Sequence, residues 1–211
     1  MAVSNGVSPL LPSLTARTRG STHESLLLPY DSASSLLFER LGRGLLGVGE
    51  VIRAEFSGPH RFDDANEWWM ALCSRATVAD SVQRPGTGLA AFGAFTFADY
   101  SEHKSVLIVP EKIVGIDEAG SFETQIMSDS MQESRAADAT SVPRGSDHSA
   151  WAPGLVTEQD FLSGVQLAKD FIVDEKLSKV VIARDLVRSI PAGFSVERVS
   201  KELSRAYPDT F

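Results

Sequence analysis

Between residues 88 and 126 the apolar residues arrive in short runs, at 88–97, 105–110, 113–116 and 122–126, split by polar or glycine-bearing turns. Runs this short, rich in Val, Ile and Phe, complete strands far more readily than helices, and the polar turn at 99–104 is short enough to reverse the chain. The spacing predicts an antiparallel hairpin of 88–97 with 105–110, extended as a meander by 113–116 and 122–126. Phe95 and Phe97 then share one strand face, and Gly93 admits a close backbone neighbour. Pro110 cannot continue a central ladder.

Elsewhere the signals are mixed. Residues 34–41 read as a helix and 48–56 as a strand, with Gly42, Gly44, Gly47 and Gly49 between them as a turn. These glycines do not form a phosphate cradle, because no Gly-Lys-Ser/Thr closes the run and no clear helix follows it. Acidic Asp63, Asp64 and Glu67 ahead of Trp68-Trp69-Met70-Ala71-Leu72 mark a helix start. Thr157 and Asp160 resemble a capping box, and Phe161, Val165, Ala168 and Ile172 recur at helical spacing, which predicts a helix over 158–174. Residues 179–188 read as a strand. Ser195 can cap a last helix carrying Val196, Val199 and Leu203, which stops before Pro208.

The fold class is therefore α+β, a mainly antiparallel sheet flanked by helices. The divisions are a flexible N-terminus over 1–24, a sheet-rich part over 25–127, a linker or mobile excursion over 128–156, and a final region over 157–211. The linker is rich in Ser, Asp, Ala, Arg, Gly and Pro and has few large apolar residues to pack.

Twenty Lys and Arg stand against 28 Asp and Glu, a formal charge of −8, which disfavours an electrostatic grip on nucleic acid. Pro9, Pro12 and Ser13 interrupt the apolar pieces of the N-terminus, so no secretory signal is read there, and no run approaches a membrane span. A soluble cytoplasmic protein is the expectation. Cys73 is the single cysteine; it excludes an intramolecular disulfide and reads as a small hydrophobe. His23, His60, His103 and His148 lack the spacing that puts two metal ligands on one helix face. No metal site is assigned.

Lys179 opens the string Lys179-Val180-Val181-Ile182-Ala183-Arg184. Strand alternation would send it to the face of Val181 and Ala183. Composition admits two placements: an exposed strand end with the ammonium in water, or a partly desolvated cleft where a neutral amine could take a proton.

Three pieces in order, Gly93-Ala94-Phe95-Thr96-Phe97, the helix 161–172, and Leu177-Ser178 followed by the lysine string, resemble the N-terminal half of the chorismate-utilising enzymes, and within that group the lysine string resembles isochorismate synthases most closely. The resemblance spans about 26–211 and is sharpest in the last third. It implies that chorismate is the substrate, that water adds at C2 while the C4 hydroxyl departs, and that Mg²⁺ grips the substrate carboxylate. It also implies that Lys179, matching the lysine that opens this string in the family, is the general base that activates the water; ammonia-using members carry glutamine there, so the lysine favours a water-using enzyme. A lysine amine ordinarily titrates near about 10.4, so such a site must lower it by several units.

The chain departs from the pattern where a glycine common just before the Leu-x-Lys turn is replaced, with Glu175 and Lys176 in its region. The family's general acid and Mg²⁺ ligands belong to its C-terminal half, and the expectation is an N-terminal fragment, inactive alone. Menaquinone, siderophore and salicylate routes all use such an enzyme. A salicylate synthase, or a non-catalytic interaction module that kept part of the sheet, are the alternatives.

Overall fold

The computed structural model describes residues 11–26, 35–129, 151–189, 194 and 196–210. The chain divides into two compact units, residues 1–139 with 196–211, and residues 140–195. The final helix thus groups with the first unit, whereas the sequence reading joins it to 157–195. Most of the linker read at 128–156, the Ser195 cap and His148 lie outside the described residues.

The first unit holds two sheets. In the larger, β1 (Leu14–Ser21), β2 (Ser35–Arg40), β3 (Arg43–Val48), β5 (Thr77–Asp80), β8 (Lys112–Asp117) and β9 (Gly120–Ser128) lie in the order β2-β3-β8-β9-β1-β5. Only β1 and β5 run parallel. The smaller sheet is antiparallel, with β7 (Ser105–Val109) between β4 (Ile52–Phe56) and β6 (Phe92–Ala94). Leu14 and Ala16 of β1, Val109 of β7, Ile113 of β8 and Ile126 of β9 form one buried cluster with Leu72 of α1 (Arg61–Ser74). Both sheets and the helix share that core.

Several sequence expectations are corrected. The helix read over 34–41 is strand β2, joined to β3 by Leu41 and Gly42, both at positive φ, as tight hairpin turns require. Leu36, Leu37 and Phe38 fit either periodicity, so the pattern alone does not separate helix from strand. The strand read over 48–56 is two strands in different sheets: Gly49, at φ +72°, breaks the chain between β3 and β4. Pro110 does the same between β7 and β8, so the 88–110 hairpin and the 113–126 hairpin belong to separate sheets. The crossings lie side by side, with Glu111 N–H donating to Val48 O and Val51 N–H to Val109 O.

The strand carrying Phe95 and Phe97 stops at Ala94. Beyond it the carbonyls of Thr96 and Phe97 accept from the buried Arg61 guanidinium, at 2.9 and 2.8 Å, and Thr96 N–H donates to Ser105 Oγ instead of to a ladder. Arg61 also donates to Gly58 O and pairs with Asp99. Phe95 stacks on Phe62, while Phe97 is exposed.

The N-terminus read as flexible contains β1, placed between β9 and β5. Its inward residues Leu14, Ala16 and Thr18 alternate with Thr15, Arg17 and Arg19, a weak apolar signal because two of the three are small or polar. The buried Thr18 hydroxyl lies 2.8 Å from that of Thr124 and accepts from Gly88 N–H. β5 follows α1 after a short turn and is too brief to announce itself.

On the other face of β9, Glu123 is nearly buried among Lys112 (2.8 Å), Arg19 (3.3 Å) and His23 (3.5 Å). The hydrogen bond from Lys112, joined by those from His23 and Arg19, outweighs burial and holds its carboxyl below the usual carboxylate range. A depressed folded-state pKa contributes stability above the unfolded value of about 4.3, and that stability is lost as pH falls through the folded value. Glu123→Gln is expected to cost about 1–2 kcal/mol at neutral pH and to flatten the acid limb of urea stability measured below about pH 5.

The last helix, α3 (Val196–Ala206), carries the apolar spacing expected of it, and its C-terminal end meets the β2–β3 turn. Ser204 Oγ donates to Glu39, Leu41 N–H to Pro208 O, and Arg40 Nε to Asp209 O.

Candidate active site

The second unit is built on α2 (Glu158–Val173), whose start follows the capping pattern in the sequence. Asp160 N–H donates to Thr157 Oγ1 at 3.1 Å, and that hydroxyl donates to the Asp160 carboxylate at 2.6 Å. Glu158 and Asp160 add negative charge where the helix dipole favours it. The helix ends in a Schellman turn: Lys176 N–H reaches Phe171 O at 2.9 Å and Glu175 N–H reaches Ile172 O at 3.1 Å. Glu175 occupies the left-handed position of that turn, at φ +57°.

A left-handed glutamate stores strain that glycine avoids. The departure noted at this position in the sequence therefore has a conformational cost. Glu175→Gly is expected to stabilise the unit by about 1 kcal/mol, read as a higher urea midpoint at unchanged slope.

Lys179 follows this turn and is exposed. The strand read over 179–188 shrinks to β11 (Leu186–Val187), paired antiparallel with β10 (Ala152–Pro153). Val180, Val181 and Ile182 are also exposed, so strand alternation does not set the facing of Lys179. A β-branched segment becomes a strand only where a partner supplies ladder bonds. Among the described residues, none supplies them to 179–184, and no hydrogen bond or ion pair engages the Lys179 amine.

The string closes on Arg184 and Asp185, which the sequence does not single out as contacts. Arg184 Nη1 lies 3.6 Å from Glu158 Oε2, beyond hydrogen-bonding distance, and its guanidinium sits 5.8 Å from the Phe161 ring centroid. That buried nitrogen has no hydrogen-bond partner among the described residues. Asp185 accepts Leu155 N–H at 3.0 and 3.2 Å through its two oxygens, and its carbonyl accepts Gly154 N–H at 3.1 Å. A carboxylate held by main chain thirty residues earlier leaves no local sequence signal.

No three His, Cys, Asp or Glu side chains converge as a metal group among the described residues. Cys73 is half-buried in the first unit, and burial pushes its thiol up. That unit also has an apolar cleft of about 410 Å³ between α1 and the smaller sheet, lined by Phe62, Trp69, Leu89, Phe95 and Leu107, with Asn66 its one polar side chain. Among the described residues that line it there is no cation to pair with an anionic ligand. No helix among the described residues is long and apolar enough to cross a membrane.

The family described as chorismate binding enzyme matches residues 36–211. No curated protein and no solved structure matches the chain.

Proposed function

The chain belongs to the chorismate-binding enzyme family, and from that premise we propose that it is part of an isochorismate synthase in which Lys179 is the general base. The observation that carries this reading is the lysine itself, opening Lys179-Val180-Val181-Ile182-Ala183-Arg184 within the matched region. An amine at that position can take a proton from water as the water oxygen bonds to C2 of chorismate. Both double bonds of the ring diene shift one position along the ring, away from C2 and towards C4, and the C4–oxygen bond breaks with protonation of the leaving hydroxyl. The departing group needs an acid, and no described residue is assigned that role.

Mg²⁺ would neutralise the substrate carboxylate in such a reaction. The described side chains do not fit it, because no three His, Cys, Asp or Glu side chains come together among them. On this reading the described residues alone do not convert chorismate. Turnover on this reading needs an acid and metal ligands brought to Lys179, with bulk water kept from its amine.

The test is chromatographic analysis of products from chorismate and Mg²⁺, with the chain alone and joined to a family-type C-terminal half. Isochorismate formed only by the joined protein, and lost on chelation, is the expected result. Salicylate with pyruvate would replace the assignment by salicylate synthase. A stable monomer with no chorismate binding or turnover in either form would favour an interaction module.

A further inference from the structure

Residues 179–184 make no backbone–backbone hydrogen bond to another described residue, so the position of Lys179 is set by what holds the two ends of that stretch. The N-terminal end is tied by the turn that closes α2, where Leu177 N–H reaches Phe171 O at 3.2 Å. The C-terminal end is tied by Asp185. Both its carboxylate oxygens lie within hydrogen-bonding distance of Leu155 N, and its carbonyl takes Gly154 N–H, immediately beside the two-residue pairing of β10 with β11.

The fit at this junction is close. A Cβ on residue 154 would fall 1.8 Å from Asp185 Oδ2 and 2.1 Å from its Cγ, so the carboxylate occupies space that only glycine leaves open. The three nearest atoms it would meet all belong to the Asp185 carboxyl group. Gly154 and Asp185 therefore form one device: a bare backbone position and a carboxylate seated against it.

We propose that Asp185 is a positioning residue for Lys179, latching the C-terminal end of the lysine segment onto the main chain of Gly154 and Leu155. The proposal rests on the base assignment made above for its catalytic consequence, but the latch has a readout of its own. Asp185 makes no hydrogen bond or ion pair with Lys179; its partners are the main chain of Gly154 and Leu155. It acts by restricting how far the intervening residues can wander, and a displacement near 1 Å at a reacting group is enough to slow chemistry substantially.

The experiment has a structural and a kinetic arm. In the full chain, ¹⁵N relaxation is measured across 179–187 for wild type, Asp185→Ala, Asp185→Asn, Gly154→Ala and the Gly154→Ala/Asp185→Ala pair. Order parameters near about 0.85 in the wild type should fall below about 0.6 in Asp185→Ala and in Gly154→Ala. Asp185→Asn, which keeps an acceptor oxygen for Leu155 N–H, should stay near wild type. The pair should be no worse than Asp185→Ala alone, because the carboxylate the new methyl would strike is gone. Order parameters unchanged in Asp185→Ala, or additive losses in the pair, would overturn the latch.

In the joined, chorismate-converting protein, Asp185→Ala should lower kcat about 10- to 100-fold with KM little changed, and Asp185→Asn should restore most of it. Full kcat in Asp185→Ala would overturn the positioning role even with the latch intact. Absence of turnover in the joined wild type would instead remove the assigned chemistry and the catalytic half of this proposal, while the relaxation series decides the latch.

Discussion

Lys179→Ala in the joined, chorismate-converting protein is expected to lower kcat by at least about 10²-fold, the typical loss when a general base is removed. The effect should fall on kcat and kcat/KM together, because a base contributes only as the proton moves. Lys179→Arg should not restore activity, since a guanidinium stays protonated at working pH and cannot accept the proton. Lys179→Gln, matching the ammonia-using members of the family, should be inactive with water. Steady-state kinetics of the wild type and these variants with chorismate gives the check. Full turnover in the alanine variant would remove the base assignment. The exposure of Lys179 in the second unit makes this a demanding test, because the described residues do not shield the amine from water.

Phe122→Ala should be the most damaging single substitution in the first unit, at about 3–5 kcal/mol. The side chain is 1% exposed and stands opposite two glycines, Gly20 on β1 and Gly115 on β8. Its ring lies across Gly115 so closely that a Cβ there would come within 2.1 Å of Cζ, and the Arg84 guanidinium sits 5.6 Å from its centroid. Truncation empties that space, and the glycine backbone beneath it has no side chain with which to fill it. Phe122→Leu should cost less, about 1–2 kcal/mol, because most of the apolar area is kept. Gly115→Ala should be strongly destabilising alone and nearly harmless when combined with Phe122→Ala, a non-additivity that urea unfolding of the four proteins would reveal. Additive losses would mean that the ring and the glycine do not share one space.

Much of the fold was readable from residues that act locally. The Thr157–Asp160 cap, the helix after it, the acidic start of α1 and the break at Pro110 depend on neighbours a few positions away. What escaped the sequence depends on distant partners. β1 is a strand because β9 and β5 flank it, and its own residues are too small or polar to declare a buried face. The strand carrying Phe95 and Phe97 ends early because Arg61, thirty-five residues before, claims the Thr96 carbonyl. The lysine string shows the reverse case: its β-branched residues favour a strand, but propensity without a pairing partner leaves them unpaired.

At the candidate site, the sequence singles out Lys179 and the region of Glu175, but nothing in it points to the contact between Asp185 and Gly154. A glycine is recognisable as necessary only when the atom that would collide with its missing methyl is known, and here that atom is on an aspartate thirty-one residues later.

The placement of β1 has a consequence for how the protein is made. Thr18 must find Thr124, 106 residues further along, so β1 leaves the ribosome long before β9, one of the two strands that flank it. At synthesis rates of about 5–20 residues per second that wait lasts roughly 5–20 seconds, during which Leu14 and Ala16 have no sheet to enter. Slowing translation ahead of codon 124 should prolong the nascent chain's dependence on chaperones, whereas the same pause placed after codon 128 should have little effect on the yield of folded first unit.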